Sequence, residues 1–506
     1  MTQNSASLAE KSVVIIGGGP AGLTAAYQLS KRGVPATVLE GDNIVGGISR
    51  TAKYKGYLFD IGGHRFFTKW DEVEAVWKEI LGGKFLERPR LSRIYYRGKF
   101  FYYPLKPANA LFGLGIFESF RIMASYLKSR VLPSPVEENL EQWVSNRFGQ
   151  RLYEIFFKTY TEKVWGVPCT EIRAEWAAQR IKGLSLTTAI RNALFGQKRP
   201  RVKTLIDKFQ YPERGPGQMW ETLAERLEER GYPVRMQRQV VRICHDASRV
   251  TRLVTRGPHG EESFTGTDFI SSMPIRDLVQ ALDPPPPPEI QRAAASLRYR
   301  DFLIISLIIN RSEVAPDNWI YIHEPGVKVG RIQIFKNWSP AMVPDPSKSC
   351  LGMEYFVFEG DEMWTCPDPK LIELAKQEVG KLGLVRPEDV EDGTVVRMPK
   401  AYPMYDAGWA EQVDAIRIWL QKTLPNLQLV GRNGMHKYNN QDHSMMTAMC
   451  AAKNICGEQH DLWAINTEAD YHEEKKEEPA TAAAAKQPAY AEPSRVPKRE
   501  PLSVDK

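Results

Sequence analysis

The run at 17–22, Gly-Gly-Gly-Pro-Ala-Gly, supplies Gly17, Gly19 and Gly22 in the order GxGxxG, between an apolar segment, Val13 to Ile16, and a helical pattern, Ala21 to Arg32. Each glycine answers a different steric demand. Gly17 permits the tight turn, Gly19 lets backbone approach a pyrophosphate resting on the helix N-terminus, and Gly22 lets helix and strand pack closely. Glu40 closes the next apolar segment, Ala36 to Leu39, near the ~20-residue spacing at which an acid meets a ribose hydroxyl pair. Glycines that merely turn a loop need neither strand, helix nor acid, so the unit implies an adenine dinucleotide.

Such a turn reads only the ADP half shared by NAD and FAD, and two later segments decide between them. VGGISRT sets Gly46 and Gly47 soon after Glu40, a second small-residue turn from which Arg50 can approach the same pyrophosphate. FDIGGHRFF puts Gly62 and Gly63 in a chain that must pass close to something flat, with His64 beside it. This order resembles the amine oxidase and protoporphyrinogen oxidase superfamily of flavoproteins, and the resemblance implies tightly bound FAD. Toward the other end, Leu427 to Val430 reads as a strand, Gly431 and Arg432 as a turn, and a helix begins near Asp442. A helix N-terminus aimed at a flavin stabilises negative charge on its pyrimidine side.

A narrower resemblance, to the UDP-galactopyranose mutases, spans most of the chain before the tail. It is carried by YTEKVWGVP (Tyr160 to Pro168), GGHRFF, WIYIHE with GRIQIFKNWSP (Trp319 to Pro340), KAYPMYD and KYNNQDHS. The resemblance implies that Arg180 and Arg331 clamp a diphosphate, assisted by Tyr402, Tyr438 and Asn440. It further implies that Trp165, Trp319 and Tyr321 wall a sugar site and that His64 sits over the flavin. The implied chemistry runs through flavin N5 on a nucleotide sugar, needs an external reductant such as NAD(P)H or another electron partner, and uses no protein nucleophile. The residue types suit it: guanidinium offers a planar fork to phosphate, and aromatic walls exclude water at little entropic cost. Leu105 and Lys106 stand where eukaryotic-type mutases carry aromatic and amide contacts to the nucleotide, a departure from that pattern. The aromatic-rich IYYRGKFFYYPL (Ile94 to Leu105) also suits a longer, greasier substrate such as a lipid-linked glycan. That keeps open an FAD-dependent oxidase or desaturase that takes hydride from an apolar substrate. A non-catalytic FAD-stabilised scaffold with a recruiting tail is the third reading.

The elements that must position these residues define the fold class: α/β, α+β overall, with a Rossmann-like FAD-binding domain, an antiparallel β-sheet substrate domain and a helical lid. The FAD domain is expected to be discontinuous, from 11–75, 205–280 and 425–460, with the lid at 76–204 and the substrate sheet at 281–424. Helical patterns dominate from Glu72 to about Ala193, including Leu140 to Phe148 and Leu152 to Tyr160. Pro284 to Pro288 must be extended and marks a connection between units. From Glu468 to Lys506 the composition turns to Glu, Lys, Ala and Pro, which predicts a disordered tail.

With 42% hydrophobic and 25% charged residues in 506, the chain is a folded protein and not a fibre or a wholly disordered one. A net charge of +7 without a concentrated basic block argues against nucleic acid as partner. Six scattered cysteines without CxxC spacing suggest neither a metal site nor a disulfide framework, and point to the cytoplasm. No segment is long and apolar enough to be a spanning helix. Ala108 to Phe117, extended through Phe120 and Tyr126 toward Lys128 and Arg130, reads as a lid helix, with peripheral membrane contact as the alternative.

Overall fold

The computed structural model describes residues 10–103, 105, 107–174 and 208–467. Arg180, Lys106 and the expected tail from 468 onward lie outside them. Five parallel strands form the first sheet, in the order Leu427–Leu429, Asp268–Ser271, Val13–Ile16, Ala36–Leu39, Val234–Arg235. Its central strand, Val13–Ile16, is buried along its whole length, as a parallel strand covered on both faces must be. Helix Pro20–Ser30 starts with proline in its first turn, where the missing N–H costs nothing, and packs in one core with helix Gln441–Ile455. The close approach needs small residues: a Cβ on Gly22 would lie 1.8 Å from the Gly17 carbonyl oxygen.

The second sheet has seven strands, ordered Val390–Pro403, Tyr299–Ile309, Ser349–Val357, Arg331–Ile334, Trp319–Ile322, Ser92–Tyr96, Lys99–Tyr102. It is antiparallel except where Ser92–Tyr96 runs parallel to Trp319–Ile322. Tyr299–Ile309 is buried at all eleven positions because its two faces enter different cores. Leu303, Ile305, Leu307 and Ile309 pack with Leu371 and Val379 of helix Asp368–Lys381, whereas Phe302, Ile304 and Ile308 pack with Phe59, Trp319 and Trp338. The period of two therefore assigns every second side chain of this sheet to the face that looks toward the first lobe.

Three expectations need correction. The stretch read as helical from Glu72 is broken after helix Asp71–Leu81 by strands Phe85–Pro89, Ser92–Tyr96 and Lys99–Tyr102, two of which extend the seven-stranded sheet. Their aromatic and β-branched content, with a turn at Arg97 and Gly98, outweighs the helical periodicity of the flanks. The segment Leu152 to Tyr160 is no uniform helix: a π turn, Glu154–Lys158, joins Gln150–Tyr153 to Thr159–Trp165. Pro288 is not extended, since it opens helix Pro288–Ser296, where its fixed φ suits the first turn.

The apolar stretch expected to be a lid forms two helices, Pro107–Leu114 and Ile116–Val131, separated at Gly115 with φ of 90°. Leu105, Ala110 and Leu114 pack inward against Ile94, Tyr96 and Phe101. Phe112 and Phe117 stand outward, 87% and 84% exposed, beside exposed Phe120, Leu127 and Val131. Among the described residues no helix is long and apolar enough to cross a membrane.

Candidate functional site

The turn after Val13–Ile16 opens onto a cleft of about 600 Å³ lined by Gly17, Gly19, Glu40, Gly47, Ser272 and Gly431, with others. Gly17 holds φ of 100°, and a Cβ there would meet Ser272 Oγ at 2.2 Å, so only glycine fits. Gly19 differs. A Cβ on it would meet nothing nearer than Gly47 Cα at 3.8 Å, so the two glycines face each other across open space. The second turn is tied to the first by the Gly46 N–H, which donates to Gly18 O at 2.9 Å. Glu40 accepts the Gly18 and Asp42 N–H groups at 2.6 and 2.8 Å, one on each oxygen. Burial raises its pKa against those two bonds, and the carboxylate keeps further lone pairs for hydroxyl donors.

This cleft fits an ADP-bearing cofactor on its own geometry: glycine backbone on two sides, a helix N-terminus at its floor and an acid at the end of the second strand. Arg50 turns to an ion pair with Asp42, leaving Gly47, Ile48 and Ser49 to form the cleft wall at that point. Gly431, with φ of 77°, brings the late turn to within 3.1 Å of Ala21 Cβ, measured from where its own Cβ would stand.

Arg432, Asn440 and Gln441 line both this cleft and a second cavity of about 250 Å³. Asn440 is the N-cap of helix Gln441–Ile455, its side chain and that of His443 forming a reciprocal capping box. Asp442 follows in the first turn, buried. Arg432 is fixed by its Nε, which donates to Asn439 O at 2.9 Å, and its Nη1, which donates to Ala401 O at 3.0 Å. Its guanidinium lies over the Tyr438 ring at 4.8 Å, and Tyr438 stacks on Tyr402 with ring centres 5.7 Å apart and planes at 11°.

The second cavity is a product of strand register. Tyr321 pairs with Arg331, which pairs with Glu354; one step along, Trp319 pairs with Gln333. Because alternate residues share a face, all five project toward the glycine segment 62–63. Arg331 Nε donates to Glu354 Oε2 at 2.5 Å and Gln333 Nε2 donates to Oε1 at 2.7 Å, so this fully buried carboxylate is held by one bond on each oxygen. Burial would lower the Arg331 pKa, but the Glu354 charge outweighs it and holds the group well above its ordinary value. Gly62, with φ of 98°, passes close: its Cβ would stand 3.8 Å from Arg331 Nη2. Tyr160 lies edge-on to the wall residue Tyr321 at 5.4 Å and is stacked parallel on His323 at 5.0 Å.

His64 lies between these groups, its Nε2 bonded to Ile61 O at 2.9 Å. Burial first, then the Arg432 cation, pull its pKa down to about 4, so it is neutral at physiological pH and donates through Nε2. Just upstream, Asp60 accepts the Thr51 hydroxyl at 3.0 Å and the Tyr211 hydroxyl, and Thr51 in turn accepts the Gly217 N–H at 2.9 Å. Burial pushes the Asp60 pKa up to about 7.

The structure thus gathers His64, Gly63, Trp319, Tyr321, Arg331, Arg432, Tyr438, Asn440 and Asp442 around one cavity, with Tyr402 stacked behind Tyr438. Trp165, the last residue of its helix, is half-buried and is not in that cavity's lining. Arg180 lies outside the described residues. Sequence reasoning did not find Glu354, Gln333, Arg65, Arg90 or Tyr160. Gln333 was reachable by the period of two from Arg331; Glu354 was not, since only the pairing of two separate strands brings it there.

A parallel dinucleotide sheet whose cleft opens into a chamber on the face of a second sheet defines a two-lobed flavin enzyme. The chain belongs to the flavin containing amine oxidoreductase family, whose sequence model matches residues 20–440, and its cofactor is FAD. Its fold is similar to that of a reduced UDP-galactopyranose mutase, with a TM-score of 0.77 at 23% identity over 90% of this chain and 96% of that one. A putative protoporphyrinogen oxidase from Exiguobacterium sp. 255-15 has a TM-score of 0.65 at 19% identity, covering 89% and 99%. In sequence, a probable flavin-containing monoamine oxidase A from Dictyostelium discoideum is 32% identical over 116 residues, 21% of this chain and 24% of that protein. The chain therefore matches less than a quarter of that curated relative's length. Among the described residues no cluster could hold a metal ion, and all six cysteines are free thiols.

Proposed function

We propose that this flavoenzyme acts on a diphosphate-containing sugar, held in the chamber by Arg331 with the stacked Tyr402 and Tyr438 beside it. The observation that carries the reading is the Arg331 guanidinium, whose Nε is spent on Glu354 while the Nη2 edge points toward Gly62. A fork anchored from behind is preorganised for phosphate oxygens and loses little entropy on binding. FAD in the cleft would supply a reactive N5 atom to the chamber. The neutral His64 offers a positioned imidazole without adding a charge that would compete with Arg331 for the anion. Trp319 and Tyr321 wall the cavity and exclude water from the reacting sugar. The cavity's 250 Å³ suits one sugar-sized ring, so a nucleotide end would extend beyond it. In this role Arg180 would complete the clamp, and an electron donor such as NAD(P)H would reduce the flavin.

A second reading is favoured by the exposed aromatic face of the lid, which suits an apolar or lipid-linked substrate that gives hydride to FAD at a membrane surface. One experiment separates the two. The purified FAD-loaded protein is incubated anaerobically with UDP-galactopyranose, oxidised and after dithionite reduction, and products are resolved by chromatography. Ring isomerisation only in the reduced sample, with no net change in flavin absorbance, supports the mutase reading. Stoichiometric bleaching of oxidised FAD by an apolar substrate, with the sugar nucleotide untouched, overturns it.

A further inference from the structure

Two arginines that the Arg331 clamp does not use share one aromatic ring, and of these three residues Arg65 and Trp319 line the chamber. The Arg65 guanidinium lies 5.1 Å, and that of Arg90 5.4 Å, from the centre of the Trp319 ring, with Tyr103 5.8 Å from Arg90. Like charges gathered on one ring repel at this range, and burial first, then the Arg90 cation, draw the Arg65 pKa down to about 10. Arg65 remains a cation at neutral pH. The buried carboxylates of this sheet are spent on other groups: Glu354 is engaged by Arg331 and Gln333, and Asp317 by Arg93 at 2.8 and 2.5 Å.

The backbone holds the pair in place. Leu91 N–H donates to Asn318 Oδ1 at 2.8 Å and Asn318 N–H returns to Leu91 O at 2.9 Å, which locks the residue after Arg90 to the residue before Trp319. Arg65 sits between two tethered neighbours, His64 O accepting from Gln441 Nε2 at 3.4 Å and Phe66 N–H donating to Gln210 O at 3.1 Å. Two buried donors at this spot, Arg90 Nε and Trp319 Nε1, have no acceptor among the described residues. A buried donor without an acceptor costs about 1–3 kcal/mol, so two of them side by side, one on a residue that lines the chamber, imply a ligand rich in acceptor oxygens.

We propose that Arg65, Arg90 and the Trp319 indole N–H form an anion subsite, separate from the Arg331 fork, that takes a phosphoryl group of the substrate. Two guanidiniums and an indole offer more donors than the two oxygens of one carboxylate can accept, which favours phosphate or diphosphate. The inference rests on the reading of the chamber as the substrate site, and it deepens that reading by giving the ligand a phosphoryl group beside the Arg65–Arg90 pair.

The test is calorimetric titration of the FAD-loaded protein, its cofactor cleft filled, with inorganic pyrophosphate and separately with acetate. Pyrophosphate should bind the unaltered protein, and Arg65→Gln and Arg90→Gln should each weaken it at least tenfold with FAD absorbance and melting temperature unchanged. Arg65→Lys and Arg90→Lys, which keep charge but lose the fork, should fall between. The subsite is overturned if the unaltered protein takes up no pyrophosphate, if both Gln variants bind it normally, or if acetate binds as tightly. It is equally overturned if FAD is lost together with the anion, because the pair is then structural. Pyrophosphate binding that depends on both arginines, without turnover of any sugar nucleotide, would uphold the subsite and remove the sugar reading. Turnover with unaltered pyrophosphate affinity in both Gln variants would do the reverse.

Discussion

Cleft and chamber meet at Arg432, yet they are built from different materials. The cleft is made of backbone: Gly17, Gly19, Gly47 and Gly431 withhold side chains so that main chain can approach a ligand, and a helix N-terminus supplies the partial charge. The chamber is made of side chains, thrown together by the register of three strands with the turns at 62–65 and 432–442. A backbone site depends on volumes kept empty, and a side-chain site on charges kept paired. Substitutions should therefore fail differently in the two.

The largest effect is expected at Gly22. A Cβ there falls 1.8 Å from a backbone oxygen, which no rotamer relieves, so Gly22→Ala should cost more than the ~1–3 kcal/mol of ordinary overpacking. Little soluble folded protein should be recovered. Gly19→Val, three residues away, should fold, because its nearest neighbour stands at 3.8 Å, but its side chain occupies the space a pyrophosphate needs. Purified Gly19→Val should give an unaltered circular dichroism spectrum and no flavin absorbance. A yellow Gly19→Val protein would break the account of the cleft.

Next in size is the Arg331–Glu354 pair. Arg331→Met leaves a buried carboxylate with Gln333 as its remaining partner, at a cost of about 3–5 kcal/mol. Simple loss of activity in that variant would therefore not separate binding from folding. Adding Glu354→Gln removes the stranded charge and preserves an acceptor for Gln333, so the double variant should recover all but about 1 kcal/mol. It should keep FAD and still fail to bind a diphosphate ligand. Denaturation midpoints read the first statement and titration the second; a double variant that binds normally would show Arg331 to be structural.

The same contrast explains what was legible in the sequence. GxGxxG and Glu40 could be read because each residue's task is local, set by turn, helix and strand within one unit. Gln441–Ile455 could be placed because its start follows a turn. Glu354 could not, since nothing near it in the chain marks it as the partner of Arg331; that knowledge lives in strand pairing. Arg65 stood in view inside GGHRFF but looked like a flank of His64 until Trp319 brought Arg90 beside it. Strands Ser92–Tyr96 and Lys99–Tyr102 were hidden by helical flanks because β-propensity is decided by the sheet that receives the strand.

The smallest effect tests the seam where the two regions join. Asp60 lies just before Gly62 and Gly63 and ties hairpin Thr51–Asp60 to Tyr211. Its pKa rises from 3.8 to about 7, burial outweighing the two hydroxyl bonds that favour the anion. Between those values the folded protein keeps a proton that the unfolded chain releases, so stability from this group is greatest below about pH 4 and falls as pH rises to about 7. Asn at 60 never ionises; its Oδ1 still accepts one of the two hydroxyls and its Nδ2 donates to the other, a change that does not vary with pH. Asp60→Asn should therefore gain on the unaltered protein as pH rises, by on the order of a few kcal/mol in all, and stop gaining above about pH 7. The histidines whose pKa values burial lowers, His64, His323 and His436, act on both proteins alike and cancel in the difference. Paired melting curves across this range give the result directly. Parallel curves would mean that Asp60 ionises freely, and that the seam, like the chamber, holds a charge kept paired.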